Sequence, residues 1–313
     1  MDLIADVLTV SGVRGALGAR LEAGGDWAVA VDDYPGAALH AVTTGSAWLS
    51  VPGHEPLRVG EGDVVFLPAG TPHVLGSAPG LAAGPCDAGA VARAQETGEP
   101  VRAGSGPAHT RIVTIHYDCD HAVRTQVLDA LPPLLHIRAE LCGAGFGDTV
   151  RMLGRELADP QIATAAVLNS LVDIMLIQLL RAWLPGAAAG RQGTWLGMFG
   201  DPLVRRAMER IHTEPARAWT TASLASAIAV SRATLSRRFP AAIGQSPGAY
   251  LTQWRMDLAA ARLRTTDQPV EVVAAAVGYQ SVPAFSRAFA RSRGETPGRY
   301  RRGTARTTTP NGA

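Results

Sequence analysis

The side chains able to do chemistry fall into two sets. The first is a group of arginines, Arg232, Arg237, Arg287 and Arg291, interleaved with the small or hydroxyl residues Ala233, Ser236, Pro283, Ala284 and Ser286. An outward guanidinium donates two parallel hydrogen bonds, which suits guanine O6 and N7 or a phosphate. The second set is His40, His73 and His116, with Cys86 as a thiol nearby in sequence. Imidazoles hydrogen-bond small polar ligands or ligate a divalent metal, and three N/S donors plus water suit zinc. A thiol senses oxidants where its surroundings lower its pKa, and Asp87 beside Cys86 acts the other way. No acid–base pair or nucleophile arrangement stands out, so the chain is not expected to be an enzyme.

The arginines sit in a stretch that contains itself twice. Leu235-Ser236-Arg237-Arg238-Phe239 returns as Phe285-Ser286-Arg287-Ala288-Phe289, and Gly244, Pro247, Gly248 and Tyr250 return as Gly294, Pro297, Gly298 and Tyr300. One shared offset of 50 residues marks an internal repeat of one helical unit. Each copy reads as helix-turn-helix. In the first, Thr221–Leu224 opens a small-residue helix and Ser231 caps a second over Arg232–Pro240. In the second, Val270–Val277 is the first helix, Gly278 supplies the turn, and Pro283 suits the first turn of the next helix. Leu235 and Phe239, like Phe285 and Phe289, fall at i, i+4 and face inward, leaving the arginines outside. A single helix over Gly248–Arg264, about 26 Å long at ~1.5 Å per residue, joins the copies. Two units held this way reach successive major grooves, ~34 Å apart.

Charge supports the same assignment. Up to Gly200 there are 12 Arg against 20 Asp and Glu, net −8; from Asp201 there are 17 Arg against 7, net +10. The repeat lies in the basic half, as a phosphate-binding domain requires. The chain has no Lys, a bias best read as GC-rich coding. The three cysteines, Cys86, Cys119 and Cys142, are widely spaced, which predicts reduced thiols and a cytoplasmic protein. Asp2 and Asp6 interrupt any signal peptide, and Asn169, Asp173 and Arg181 interrupt the apolar run Ile162–Leu184, so no membrane span is expected.

The repeat resembles the DNA-binding domain of the AraC/XylS family of transcription regulators. The residues carrying the likeness are Leu224-Ala225, Leu235–Phe239, Gly244-x-Ser246-Pro247-x-x-Tyr250-Leu251, Arg255-Met256, Ala274-x-x-x-Gly278-Tyr279-x-Ser281, Phe285–Phe289 and Gly294-x-x-Pro297-x-x-Tyr300-Arg301. The resemblance implies that one helix of each unit reads bases. Carried over by position, the readers are Arg232, Ala233, Ser236 and Arg237, then Pro283, Ala284, Ser286 and Arg287, with Arg291 also outward. Ala233, Pro283 and Ala284 offer at most contact with a thymine methyl, so specificity should rest on the arginines.

The acidic half reads differently. Met1–Ala19 has helical spacing. From Trp27 the period becomes two, in short strands such as Trp27–Val31, Leu39–Val42, Ala47–Leu49 and Val64–Leu67, punctuated by Gly, Pro and Asp turns. This predicts a small barrel or sandwich. The segment Gly62-x5-Pro68-x-Gly70-x2-His73 resembles the second cupin motif at every fixed position. The first cupin motif is poor, with only His40 on the corresponding strand. His40-x4-Gly45-Ser46-Ala47-Trp48-Leu49 resembles a cupin branch found ahead of AraC-type DNA-binding domains. The resemblance points to His40, Trp48, His73 and His116 as effector contacts, and to His40, His73 and His116 as ligands for zinc or another divalent metal. Gly76–Pro107 is predicted as a Gly/Ala/Pro-rich loop, with Cys86 as a redox candidate. Helices resume with Thr149–Leu157. Pro160–Leu184 is apolar on two sides, so one side is expected to pack on its own barrel and the other on a further surface, either more of the same chain or, as the resemblance implies, a second copy in a homodimer.

The expected fold is therefore α+β. Residues 1–184 form a cupin-like β-barrel with flanking helices that binds an effector and dimerises. Residues 185–200 are the linker, residues 201–302 an all-α domain with two helix-turn-helix units, and residues 303–313 a disordered tail. The expected function is a one-component, effector-responsive transcription regulator of double-stranded DNA. The alternative is a metal-dependent cupin enzyme with a helical appendage.

Overall fold

The computed structural model describes residues 3–11, 13–32, 36–68, 70–118, 131–141, 143–187 and 192–307. Cys119, Cys142 and residues 308–313 lie outside them. The described chain divides into two compact units, one built from residues 14–118 and 131–186, the other from the residues before 14 and those from 187 onward.

The first unit is mainly strands: β1 (Arg14–Gly24), β2 (Ala28–Val31), β3 (Ala37–Thr44), β4 (Ser46–Ser50), β5 (Leu57–Gly60), β6 (Val64–Leu67), β7 (His73–Gly76), β8 (Gly84–Pro85), β9 (Val101–Gly104), β10 (Thr110–Asp118) and β11 (Leu135–Ile137). They pair into a six-stranded sheet, β11-β6-β3-β10-β1-β9, and a five-stranded sheet, β5-β4-β7-β2-β8. A closed barrel is not among the described ladders. The apolar core draws on both sheets: Leu21, Val42, Val65, Leu67 and Ile112 from one, Ala47, Leu49, Val59 and Leu75 from the other. The opposite face of the larger sheet buries Leu39, Ala41, Val64, Phe66, Val113, Ile115 and Tyr117. Helices α3 (Gly143–Ala158) and α4 (Thr164–Ala187) meet that face. The Tyr117 hydroxyl donates to the Val172 carbonyl at 2.8 Å, and Arg20 donates to the Leu157 carbonyl at 2.6 Å.

Three sequence expectations are corrected here. The helix expected over Met1–Ala19 stops at Ser11, as α1 (Leu3–Ser11), and the rest is β1. The cause is tertiary: a Cβ at Gly15 would overlap Val172 and Tyr117, and one at Gly18 would press on the His116 ring. Only a glycine-bearing strand fits between α4 and β10. The expected loop Gly76–Pro107 contains β8, β9 and helix α2 (Ala88–Thr97), which Asp87 caps by accepting from the Ala90 N–H at 3.0 Å. The helix expected at Thr149 begins six residues earlier, at Gly143.

The second unit is helical: α5 (Pro202–Thr213), α6 (Thr221–Ala227), α7 (Arg232–Ile243), α8 (Pro247–Thr265), α9 (Val270–Ala276), α10 (Val282–Arg293) and α11 (Pro297–Thr307). The 50-residue repeat is realised atom by atom. Ser231 caps α7 and Ser281 caps α10; Gly244 and Gly294 end the same helices at φ 82° and 76°. Leu235, Phe239, Phe285 and Phe289 are all fully buried. Truncating such an aromatic to Ala typically costs about 3–5 kcal/mol. The copies differ at the turn. Four residues, 228–231, separate α6 from α7, and five, 277–281, separate α9 from α10. The shorter turn forces Ala229 to φ 57°, whereas the longer one puts Gly278 at φ 86°.

Segments placed elsewhere by sequence join this unit. The end of the expected 185–200 linker is a 3-10 helix, Trp195–Gly200, with Trp195, Leu196 and Met198 buried. Gly193 donates to the Ala242 carbonyl at 2.9 Å, and a Cβ at Gly197 would overlap that same carbonyl. Residues 303–307 of the expected tail continue α11. Helix α1 packs on α5 and α8, burying Leu3 and Val7.

Candidate nucleic-acid interface and histidine site

The outward faces of α7 and α10 carry the expected readers. Arg232, Ala233, Ser236, Arg237, Pro283, Arg287 and Arg291 are exposed, and Ala284 and Ser286 are half-buried. Neighbouring arginines are fixed elsewhere. Arg238 Nε pairs with Asp201 Oδ2 at 2.9 Å, where Asp201 also caps α5. Arg293 is bonded to the buried Asp257. Burial raises the Asp257 carboxyl to about 6 even though Arg293 and Arg264 oppose it. No ion pair among the described residues involves Arg232, Arg237, Arg287 or Arg291. Each unit thus separates structural arginines from arginines left in solvent on the second helix of a helix-turn-helix.

In the sheet unit, one end of the space between the sheets is filled by the apolar cluster and the other is polar. His40 on β3 lies opposite Thr114 on β10, and His73 begins β7. His40 Nε2 and His73 Nε2 are 2.9 Å apart, and both rings are buried. His40 Nδ1 lies 2.9 Å from Thr114 Oγ1, and His73 Nδ1 lies 2.8 Å from the Thr71 carbonyl. The carbonyl only accepts, so neutral His73 carries its proton on Nδ1. His40 must then donate from Nε2 to His73 Nε2, and Thr114 donates to His40 Nδ1. The relay Thr114–His40–His73–Thr71 is fully satisfied with both rings neutral. Burial, then His73 and His116, push His40 well below the ordinary histidine value. Burial also lowers His73, against the bond to Thr71 and the charge of Asp32.

The other predicted front-domain residues divide. His116 shares the inward face of β10 with Thr114 and is half-buried. Trp48 is corrected: its strand neighbours Ala47 and Leu49 enter the core, so alternation places Trp48 on the outer face of its sheet, away from the histidines. Cys86 lies on the surface beside the N-cap of α2, where partial desolvation by its neighbours and then the Asp87 charge raise its thiol, which disfavours the thiolate a redox sensor needs. A cupin metal centre requires three or four donors. Among the described residues no group of three or more His, Cys, Asp or Glu converges, and His40 and His73 bond each other. The donor set does not fit zinc. Sequence reasoning missed Thr114 and Thr71, although Thr114 has a signal: it sits two residues before His116 on an alternating strand.

A sheet domain with an interior polar end, followed by paired helix-turn-helix units with solvent-facing arginines, defines a DNA-binding regulator rather than an enzyme. Comparison with known proteins agrees. Residues 2–185 match the Cupin family, and residues 224–303 match the Helix-turn-helix domain family. A putative AraC-like transcription regulator of Streptomyces antibioticus is 40% identical over 96% of this chain and 99% of its own length. One from Streptomyces lividans is 39% identical over 96% and 98%. The HTH-type transcriptional regulator MtrA of Neisseria gonorrhoeae is 29% identical over 96% and 98%. The chain belongs to the AraC-like transcription regulators with an amino-terminal cupin domain.

Proposed function

We propose that α7 and α10 are the two recognition helices, that they enter successive major grooves of one operator, and that the front domain takes a small-molecule effector at its polar end. The observation that carries the first part is the sorting of arginines. At equivalent places in both units Arg237 and Arg287 stand exposed without ion pairs, while Arg238 and Arg293 are bound to carboxylates. The effector part rests on His40, His73, Thr114 and His116 sharing the inward polar end of the sandwich. The ring nitrogens of His40 and His73 are engaged with each other, Thr114 and the Thr71 carbonyl, which favours a hydrogen-bonding ligand over a metal ion.

A duplex selected by the full chain from a random library provides the probe. Arg237→Ala and Arg287→Ala should each weaken it by ~1–3 kcal/mol and relax base preference at one position. Raising salt should weaken all binding. A mutant as tight and as selective as the parent would remove that arginine from the readers.

A homodimer is the reading we favour for α4. Leu168, Leu171, Val172, Met175, Leu179 and Leu180 are buried, whereas Val167, Ile174 and Ile177 are exposed in line with Ser170 and Arg181. By length and composition Thr164–Leu184 passes for a membrane span. Its buried side packs on the sheet, and Asp173 and Arg181 interrupt it, which supports a soluble, cytoplasmic protein with a second copy on the exposed stripe.

A further inference from the structure

Helix α1 precedes the entire sheet domain in sequence yet belongs structurally to the DNA-binding unit. Leu3 and Val7 are buried there, against α5 and α8. Two polar contacts leave α1 in different directions. Asp6 Oδ2 lies 3.4 Å from His212 Nδ1, at the end of α5. His212, stacked on Trp254 at 3.8 Å between ring centres, is 2.7 Å from the Tyr250 hydroxyl through Nε2. At the other end of α1, the Val10 carbonyl accepts from Arg264 Nη2 at 2.7 Å, and Arg264 Nη1 donates to the Tyr300 hydroxyl at 2.8 Å. A cation there also satisfies a carbonyl left over in the last turn of α1.

Tyr250 and Tyr300 are the same residue of the repeat, 50 positions apart. Each sits in the first turn of the helix that follows a recognition helix, and each packs edge-on against its last buried aromatic. Tyr250 lies 5.9 Å from Phe239, and Tyr300 lies 5.3 Å from Phe289. One nine-residue helix therefore touches both helix-turn-helix units, each through a single intervening side chain. His212 serves the first and Arg264 the second.

We infer that α1 is a splint that fixes the orientation of the two helix-turn-helix units, with His212, Arg264, Tyr250 and Tyr300 as positioning residues that set which half-site spacing the protein accepts. The splint runs directly into the effector domain, because α1 ends at Ser11 and β1 starts at Arg14. A third group converges on the same point: Trp195 Nε1 lies 3.3 Å from the Tyr250 hydroxyl, in the segment through which the chain returns from that domain. The helix that precedes the sensory half and the segment that follows it thus meet at the first unit's tyrosine, and α1 continues to the second.

The test uses the full chain and the selected duplex, together with duplexes whose half-sites are moved by one or two base pairs and duplexes with one half-site scrambled. Val7→Asp undocks α1 by its buried face; Arg264→Gln cuts the second contact without touching the first. The parent should reject a shifted half-site by about tenfold or more, as rigid units must. Both variants should lose most of that discrimination, to about threefold or less, while binding the single half-site within about twofold of the parent. Unchanged spacing discrimination would overturn the splint. So would an equal loss on single and paired half-sites, which would mark α1 as support for the fold only. Failure of the parent to select any duplex would instead strike the DNA-binding reading on which this inference rests.

Discussion

Acidification should loosen the sheet domain through the histidine relay. His40 is 1% exposed and His73 3% exposed, and the relay is complete only with both rings neutral. Their folded pKa values lie below the ordinary histidine value, so the folded state binds fewer protons than the unfolded state. The stability they contribute is fully present above about pH 6.5, the unfolded histidine value, and is lost as pH falls through the folded values. Each unit below that point costs up to ~1.4 kcal/mol per proton excluded. At pH 5.0, about 1.5 units down, ~2 kcal/mol is therefore the ceiling for one excluded proton. Double protonation would also set one Nε2–H against another across 2.9 Å. The assay is hydrogen exchange at β3 and β10 amides between pH 5 and 7.5, corrected for intrinsic rates, in the parent and in His40→Gln. The parent should lose local stability with acid and the variant should be flatter. Parallel profiles for the two proteins would refute the relay as the source.

Three further expectations concern other elements. Ala229 occupies the left-handed region at φ 57°, a conformation costing an L-residue roughly 1–2 kcal/mol, so Ala229→Gly should stabilise the helical unit by ~0.5–1 kcal/mol in denaturant titrations. Gly278→Ala should do the reverse by more than that, because its Cβ would meet Ala216 and Arg255 as well as the strained φ of 86°. On the sheet unit, Ile174→Glu should leave melting near that of the parent, since Ile174 is 43% exposed, but shift the mass measured by light scattering towards a monomer. A parent that is already monomeric would exclude the dimer.

What the sequence disclosed follows from how local each signal is. The 50-residue repeat, the Ser and Gly caps and the inward Phe residues are read within a few residues of one another, and the helices of the repeat begin where those signals put them. His73 was legible because Gly62, Pro68 and Gly70 frame it. Apart from α2, which has the local cap Asp87, the failures are long-range. Leu3, Val7, Val10 and Leu17 have helical spacing, but Gly15 and Gly18 answer to Val172, Tyr117 and His116, which lie far along the chain. Trp195 resembles linker until Tyr250 and Ala242 are placed beside it. Trp48 is one residue out of phase with its core neighbours, and strand phase is fixed by pairing with β5 and β7 rather than by its own sequence.

The repeat also bears on how such a protein changes over generations. Caps, aromatic anchors and the tied arginines Arg238 and Arg293 hold the shape of each unit, while Arg232, Ala233, Ser236, Arg237, Pro283 and Arg287 project into solvent and anchor nothing. Substitution at the second group leaves the first untouched. Under the proposed assignment of readers, operator preference is free to drift at near-constant stability, and each half of a duplicated unit explores its own vocabulary of bases without endangering the other.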